Sequence, residues 1–166
     1  MRKLIVGALM VAGFGLAPAA PARAWESNPV GRMTGGGNFT CTGIDAKVTY
    51  GFEVHCKEVQ PNNFEINWPG GNHFHLEDLT GAICLDDPAI SPNPPPAPFD
   101  TYEGTGTGKL NGVDGATIFF NLTDAGEPGT SDTISVTILD ASGNTVLSCD
   151  TVTLDGGNNQ AHASNR

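Results

Sequence analysis

The chain of 166 residues contains 18 acidic and 8 basic residues, a formal net charge of −10 at pH 7. This acidic balance argues against nucleic acid and anionic lipid as partners, because both are negatively charged. The length suits about one domain, which is large enough to bury a real hydrophobic core.

The N-terminus has the order of a secretory signal peptide. Two basic residues begin the chain, residues 4–16 form an apolar run, and the small-x-small triplet Ala22-Arg23-Ala24 follows. This order predicts a signal peptide over residues 1–24 and a mature single domain over residues 25–166. The apolar run is shorter than the roughly 20 residues that cross a bilayer, so we expect no membrane insertion and a secreted or periplasmic protein. Because the signal peptide holds three of the eight basic residues and none of the acidic ones, the mature chain has a net charge of −13.

Four cysteines lie in the mature chain, at Cys41, Cys56, Cys84 and Cys149. An exported chain meets an oxidising compartment, so an even number of cysteines predicts disulfide bonds. Two bridges allow three connectivities, and the sequence spacing does not select one of them. No C-x-x-C motif occurs, so neither a zinc knuckle nor a thioredoxin-like redox site is indicated.

Apolar and polar residues alternate along the mature chain, and no segment shows the apolar spacing of a helix. The segment KVTYGFEVHC, residues 47–56, is a clear example. Period-two alternation predicts strands that bury one face. The predicted buried set is Val48, Tyr50, Phe52, Val54 and Cys56, and the predicted exposed set is Lys47, Thr49, Glu53 and His55.

The segment NFEINWPGGNHFHLED, residues 63–78, predicts a β-hairpin. Its apolar residues share one face only if Ile66 opposes Phe74 and Phe64 opposes Leu76. This register leaves residues 69–71 as a three-residue loop, in which the last glycine adopts a left-handed conformation without strain.

The outer face of this hairpin carries two histidines beside an acid. The predicted register places His73 opposite Asn67 and His75 opposite Glu65. The preferred interpretation is a solvated cross-strand pair of a histidine and a carboxylate. The alternative is zinc bound by His73, His75 and Glu65, since alternate residues of a strand lie about 6.6 Å apart and both reach one ion.

Six of the twelve prolines fall in the segment DDPAISPNPPPAPFD, residues 86–100. Proline cannot donate to a sheet ladder, so this segment predicts extended polyproline geometry. We expect a stiff strap that crosses from one sheet to the other. The alternative is a docking peptide for a partner that recognises proline.

Asn111-Gly112 is the strongest hairpin signal in the chain, because both central residues of a type I′ turn need positive φ. A two-residue turn there pairs Lys109 with Asp114. The strand that follows buries Ile118, Phe120 and Leu122. Phe119 then faces the other way, either outward or under the Pro-rich strap. Exposed aromatic residues suggest sugar or protein binding, although they are more often packing residues.

The segment DAGEPGTSD places Asp124, Glu127 and Asp132 around one turn. Oxygen ligands on a glycine-rich loop suit calcium, although the spacing differs from that of an EF-hand. The alternative is a tight turn shaped by Pro128 and Gly129, in which Asp124 caps backbone N–H groups.

Two further segments, DTISVTILD and NTVLSCDTVTLD, predict the closing strands, and the second supplies one or two of them. In the first, Ile134, Val136 and Ile138 face the core. Together the alternating runs and turn signals predict an all-β fold: a single antiparallel β-sandwich or flattened barrel of about eight to ten strands.

No motif indicates catalysis, since the chain has neither a G-x-S-x-G nor an H-E-x-x-H sequence. Acid–histidine pairs such as Glu53 with His55 are expected by chance in an acidic sheet protein. We therefore expect a non-catalytic exported binding module without a cofactor, whose partner is an envelope or extracellular protein or glycan. A protein that binds zinc or calcium is the alternative, and a secreted hydrolase is third.

Several segments together resemble the bacterial post-COAP domain family. They are MTGGGNF, VTYGFEVHC, PNNFEINW, FHLEDLTGAICLDDPAISPNPPPAPFDTYEGTGTGKLNG and TDAGEPGTSDT, which occur in this order over roughly residues 32–162. The resemblance implies a β-rich, exported bacterial domain and supplies no catalytic residue or ligand. It also implies the pairings Cys56–Cys84, within family-like segments, and Cys41–Cys149, as a staple between the first and last strands.

Overall fold

The computed structural model describes residues 28–57, 61–90 and 97–164. The predicted signal peptide and part of the Pro-rich segment lie outside these ranges. The described ranges contain no helix, and their regular structure is nine strands. The strands are β1 Arg32–Cys41, β2 Ala46–His55, β3 Asn63–Trp68, β4 Asn72–Leu85, β5 Thr101–Leu110, β6 Val113–Thr123, β7 Thr133–Leu139, β8 Thr145–Thr153 and β9 Gly156–His162.

All nine strands belong to one antiparallel sheet with the order β8-β7-β6-β5-β4-β3-β2-β1-β9. The first eight strands form a meander, because each is joined to the next by a short connection or by the Pro-rich segment. Strand β9 follows β8 in the chain but pairs with β1, at the opposite edge of the sheet. The sheet curls into a half-barrel, which confirms the all-β prediction and its strand number.

The curl is visible in the aromatic core. Strands β3 and β6 are three positions apart in the sheet, a path of about 14 Å if the sheet were flat. Nevertheless the rings of Phe64 on β3 and Phe120 on β6 have centroids only 4.7 Å apart. Tyr102 stacks on the same Phe120 ring at 5.9 Å. The inner face of the sheet therefore wraps around one shared core.

The alternation of β2 is confirmed except at its end. All five predicted inward residues are buried, and Lys47, Thr49 and Glu53 are exposed. The prediction for His55 is wrong, because this residue is only 4% exposed. Two hydrogen bonds hold the backbone of His55: its N–H donates to Asn62 Oδ1 at 2.8 Å, and its carbonyl accepts from the Tyr102 hydroxyl at 2.9 Å.

Both predicted hairpin turns are confirmed. Ile66 pairs with Phe74, and residues 69–71 form the loop, with Gly71 at φ 75°. In the second hairpin Asn111 and Gly112 have φ values of 51° and 81°. Lys109 is paired with Asp114, and their charged atoms lie 3.2 Å apart.

Both disulfides have the pairing that the family resemblance implied. Cys149 lies on β8, however, so the bridge to Cys41 does not reach the last strand, β9. Strand β8 is one edge of the sheet and β1 is the strand next to the other edge. The Cys41–Cys149 bridge therefore ties the two ends of the curled sheet together.

The Pro-rich segment joins two neighbours in the same sheet, so the prediction that it crosses between sheets is wrong. Strands β4 and β5 pair directly, with Leu85 opposite Thr101. At the base of the loop Asp87 N–H donates to Asp100 Oδ1 at 3.0 Å, and Asp100 N–H donates to the Leu85 carbonyl at 3.2 Å. Phe99 is buried and anchors the returning end.

Glycines on the inward side of β5 bring its backbone into direct contact with core side chains. Its inward positions include Gly104 and Gly106, where a Cβ atom would lie 2.1 Å from the Phe120 ring and 2.3 Å from Leu76 Cδ1. Neighbouring side chains therefore fill the space that inward side chains of β5 would otherwise occupy. Core side chains thus pack directly against the backbone of β5.

Candidate functional site

The predicted zinc residues lie on the outer face of the β3–β4 hairpin. His75 opposes Glu65, as predicted, and its Nδ1 is hydrogen-bonded to Glu65 Oε1. Both side chains are more than two-fifths exposed. His73 opposes Asn67 instead, and its backbone N–H donates to Asn111 Oδ1 at 2.8 Å. The hairpin thus forms the cross-strand histidine–carboxylate pair.

All three predicted calcium residues are hydrogen-bonded to strand β9, two of them to its backbone. Asp132 accepts the N–H of Asn159 at 2.7 Å, and Asp124 accepts the N–H of Ala161 at 2.8 Å. Glu127 accepts the side-chain amide of Asn158 at 2.9 Å. These acids bind the side of β9 that faces away from β1, so they complete an edge that would otherwise be open.

The same two aspartates also shape their own turn. Asp132 Oδ1 accepts the Ala125 N–H at 2.8 Å, and Asp124 Oδ1 accepts the Gly126 N–H at 3.0 Å. This is the capped tight turn that the sequence offered as the alternative to calcium. Burial raises the pKa of the Asp132 carboxyl above its usual range, and the nearby Asp124 and Glu127 charges raise it further.

No metal cluster emerges from these two regions. Within residues 28–57, 61–90 and 97–164, no three His, Cys, Asp or Glu side chains are grouped so that they could hold a metal ion. The zinc and calcium alternatives therefore gain no support from the geometry.

A groove of about 640 Å³ lies on the outer face of strands β4 to β8. This volume falls within the roughly 300–1,000 Å³ typical of small-ligand sites. Phe119 stands in the middle of the groove with 45% of its surface exposed, and Ile83 on β4 is 44% exposed. Phe119 therefore lies on the outer side of the sheet, one of the two positions that the alternation of β6 allowed.

Two β-bulges flank the groove. On β4, Leu79 and Gly81 pair with consecutive residues of β5, so Thr80 is an extra residue. On β8, Cys149 and Val152 pair with residues of β7 that are two apart, so residues 150–151 oppose a single residue. Bulges bend a strand and redirect its side chains. Residues at both bulges line the groove, namely Gly81 on β4 and Asp150 and Thr151 on β8.

The groove has a mostly apolar surface and carries few charges. Besides the two apolar residues, its outward side chains are mainly hydroxyls and an amide, from Thr105, Asn121, Ser135, Thr137 and Thr151. Glu103 and Asp150 supply two carboxylates. Among the described residues that line it there is no lysine, arginine or histidine. The groove thus offers an apolar platform surrounded by hydrogen-bonding groups.

Sequence reasoning found Phe119 but missed the rest of the groove. The alternation in EGTGTGK, residues 103–109, carried a signal, because glycine at every second position leaves only the outer face with side chains. The bulges on β4 and β8 have no comparable signal, since they depend on pairing with neighbouring strands.

Across the parts of the chain that the structure describes, no helix is long and apolar enough to span a membrane. In comparisons with known proteins, no protein-family model, no curated protein and no solved structure matches the chain. The resemblance to the post-COAP domain family rests on the sequence segments quoted above and stays a prediction.

Proposed function

We propose that this protein is an exported, non-catalytic binding domain that recognises its partner through the groove on strands β4 to β8. The observation that carries the proposal is the exposure of Phe119 and Ile83 in one concave surface. Isolated exposed apolar residues are common on protein surfaces. An exposed aromatic residue within a concavity that also gathers polar groups is typical of a binding site.

Export is supported by the two disulfides, because such bonds persist in oxidising compartments. The predicted signal peptide and the acidic composition agree with this location. We place the domain at or outside the bacterial envelope.

The non-catalytic assignment is supported by the chemistry of the groove. Its cysteine, Cys149, is held in a disulfide, and its described lining contains no histidine that could act as a base beside a hydroxyl nucleophile. Glu103 and Asp150 come from β5 and β8, which are three positions apart in the sheet. Such an arrangement suits recognition more than proton transfer.

The test compares binding of the labelled mature protein to native cell envelopes with that of two groove variants, Phe119→Ser and Ile83→Ser. A matched control is Val113→Ser, which changes an apolar residue that is 64% exposed outside the groove. We expect both groove variants to lose binding and the control to retain it, with all melting temperatures unchanged. Binding that survives both groove substitutions would refute this function for the groove.

A further inference from the structure

We infer that the groove binds an uncharged saccharide, with Phe119 as the stacking platform; this inference rests on the proposed function and names its ligand class. The Phe119 ring is the apolar centre of the groove. The cross-strand partners of Phe119 are Thr105 on β5 and Thr137 on β7. Both side chains are short, so the ring stands above its neighbours, and a flat ligand face can pack against it.

A saccharide ring matches this surface because it combines an apolar C–H face with hydroxyl groups around its rim. The rim would meet Glu103 and Asn121, which pair directly with each other one row away from Phe119 on the same outer face. Ser135 extends this row on β7, opposite Asn121. Carboxylates accept hydroxyl hydrogen bonds that are stronger than those between neutral groups.

The row that contains Ser135 continues on β8 through the bulge, where it reaches Asp150. Because residues 150–151 face Ser135 alone, one of them is an extra residue in the ladder. Asp150 is exposed and lines the groove. A bulge beside a binding surface is a common way to redirect a side chain towards it. The groove thus places carboxylate acceptors at both ends of one row beside the aromatic platform.

The charge of the groove selects against acidic ligands. Its described lining carries two carboxylates and no cationic side chain, and the mature chain is itself strongly acidic. An acidic or phosphorylated glycan would be repelled without a compensating cation. An uncharged saccharide meets no such barrier.

The position of the groove argues against an extended peptide. Peptides that add to a sheet pair with the free backbone groups of an edge strand. The groove is centred on β5, β6 and β7, whose backbones already pair with neighbours on both sides, and reaches the edge strand β8 only at one end. Recognition at the centre must therefore use side chains, namely the apolar Phe119 and the hydroxyls, amide and carboxylate around it.

The experiment screens the mature protein against short uncharged oligosaccharides, namely β-1,4-glucan, α-1,4-glucan and β-1,4-linked N-acetylglucosamine, beside acidic oligogalacturonate and an unrelated proline-rich peptide. The affinity for each oligosaccharide that binds is then measured by titration calorimetry. The variants compared are Phe119→Ala, Phe119→Trp, Asp150→Asn and the control Val113→Ala. We expect uncharged oligosaccharides to bind. Phe119→Ala should weaken binding at least about tenfold, which is about 1.4 kcal/mol, while Phe119→Trp and Val113→Ala retain it.

Preference for the acidic oligosaccharide or the peptide would overturn the saccharide assignment, as would saccharide binding that Phe119→Ala leaves unchanged. If no oligosaccharide binds while envelopes still bind in a Phe119-dependent manner, the inference fails and the proposed function stands. If the groove variants affect neither saccharide nor envelope binding, both fail.

Discussion

Removal of the Cys41–Cys149 disulfide should destabilise the protein more than removal of Cys56–Cys84. The two bridges join residues separated by 108 and 28 positions, respectively. A cross-link restricts the unfolded chain, and the chain-entropy relation gives about 4.8 kcal/mol for the longer loop and about 3.6 kcal/mol for the shorter one. The larger effect is therefore expected for the bridge that spans most of the chain.

The sheet topology is a second reason to expect the larger loss of stability from removal of the Cys41–Cys149 bridge. Strand β8 is hydrogen-bonded to β7 on one side, and the Cys41–Cys149 bridge ties it to β1 at the other end of the curled sheet. Cys56 follows β2 and Cys84 lies on β4, both of which already pair with β3. Loss of the first bridge leaves β8 held in the sheet only by β7 and removes the link between the two ends of the sheet, whereas loss of the second leaves β2 and β4 joined through β3.

The assay is urea unfolding of the C41A/C149A and C56A/C84A variants, followed by tryptophan fluorescence and circular dichroism. We expect the first variant to lose about 1 kcal/mol more free energy of unfolding than the second. Both should show a larger denaturant dependence than the wild type, because an unfolded chain without the cross-link exposes more surface. A C41A/C149A variant that matches the wild type, or that is more stable than C56A/C84A, would show that the curled sheet does not depend on this staple.

Three further predictions concern stability. Asp132→Ala leaves one buried and one partly buried backbone N–H group without an acceptor, so we expect a loss of about 2–4 kcal/mol in chemical unfolding. The same change at exposed Asp78 should cost less than about 0.5 kcal/mol, and equal losses would contradict the capping role. Burial and the nearby Arg32 charge lower the pKa of His162, so its contribution to stability is complete above its unfolded pKa of about 6.5 and falls as the pH decreases below that value. The free-energy difference between wild type and His162→Gln should therefore be larger at neutral than at acidic pH, and a constant difference would refute the assignment. Gly104→Ala places a methyl group 2.1 Å from the Phe120 ring and should cost about 1–3 kcal/mol in thermal unfolding; an unchanged melting temperature would show that the ring moves aside freely.

Much of the fold could be predicted from the sequence because strands and tight turns carry local signals. The hairpin over residues 63–78 is the clearest case, since only one register buries all its apolar residues. The Asn111-Gly112 turn is another, because positive φ restricts which residues can stand there. The alternation of apolar residues along β6 also places Phe119 on the face opposite the core. These features follow from the chemistry of neighbouring residues and need no knowledge of the rest of the chain.

Strand β9 could not be predicted, because GGNNQAH has neither apolar alternation nor β-branched residues. It is a strand because β1 pairs with one side and the carboxylates of Asp124 and Asp132 bind N–H groups on the other. The same acids looked like calcium ligands in the sequence, since an oxygen-rich turn has the same composition whether it faces an ion or a backbone.

The amino-acid sequence alone determined the all-β class, the faces of most strands and the turns between them, because burial of one side of a strand leaves a period of two. Only the tertiary structure decided which strands meet, and therefore which side chains pack against the glycines of β5, where the bulges on β4 and β8 fall and what surrounds Phe119. The reason is physical: a concave surface depends on contacts between residues far apart in the chain, and no local pattern records those contacts.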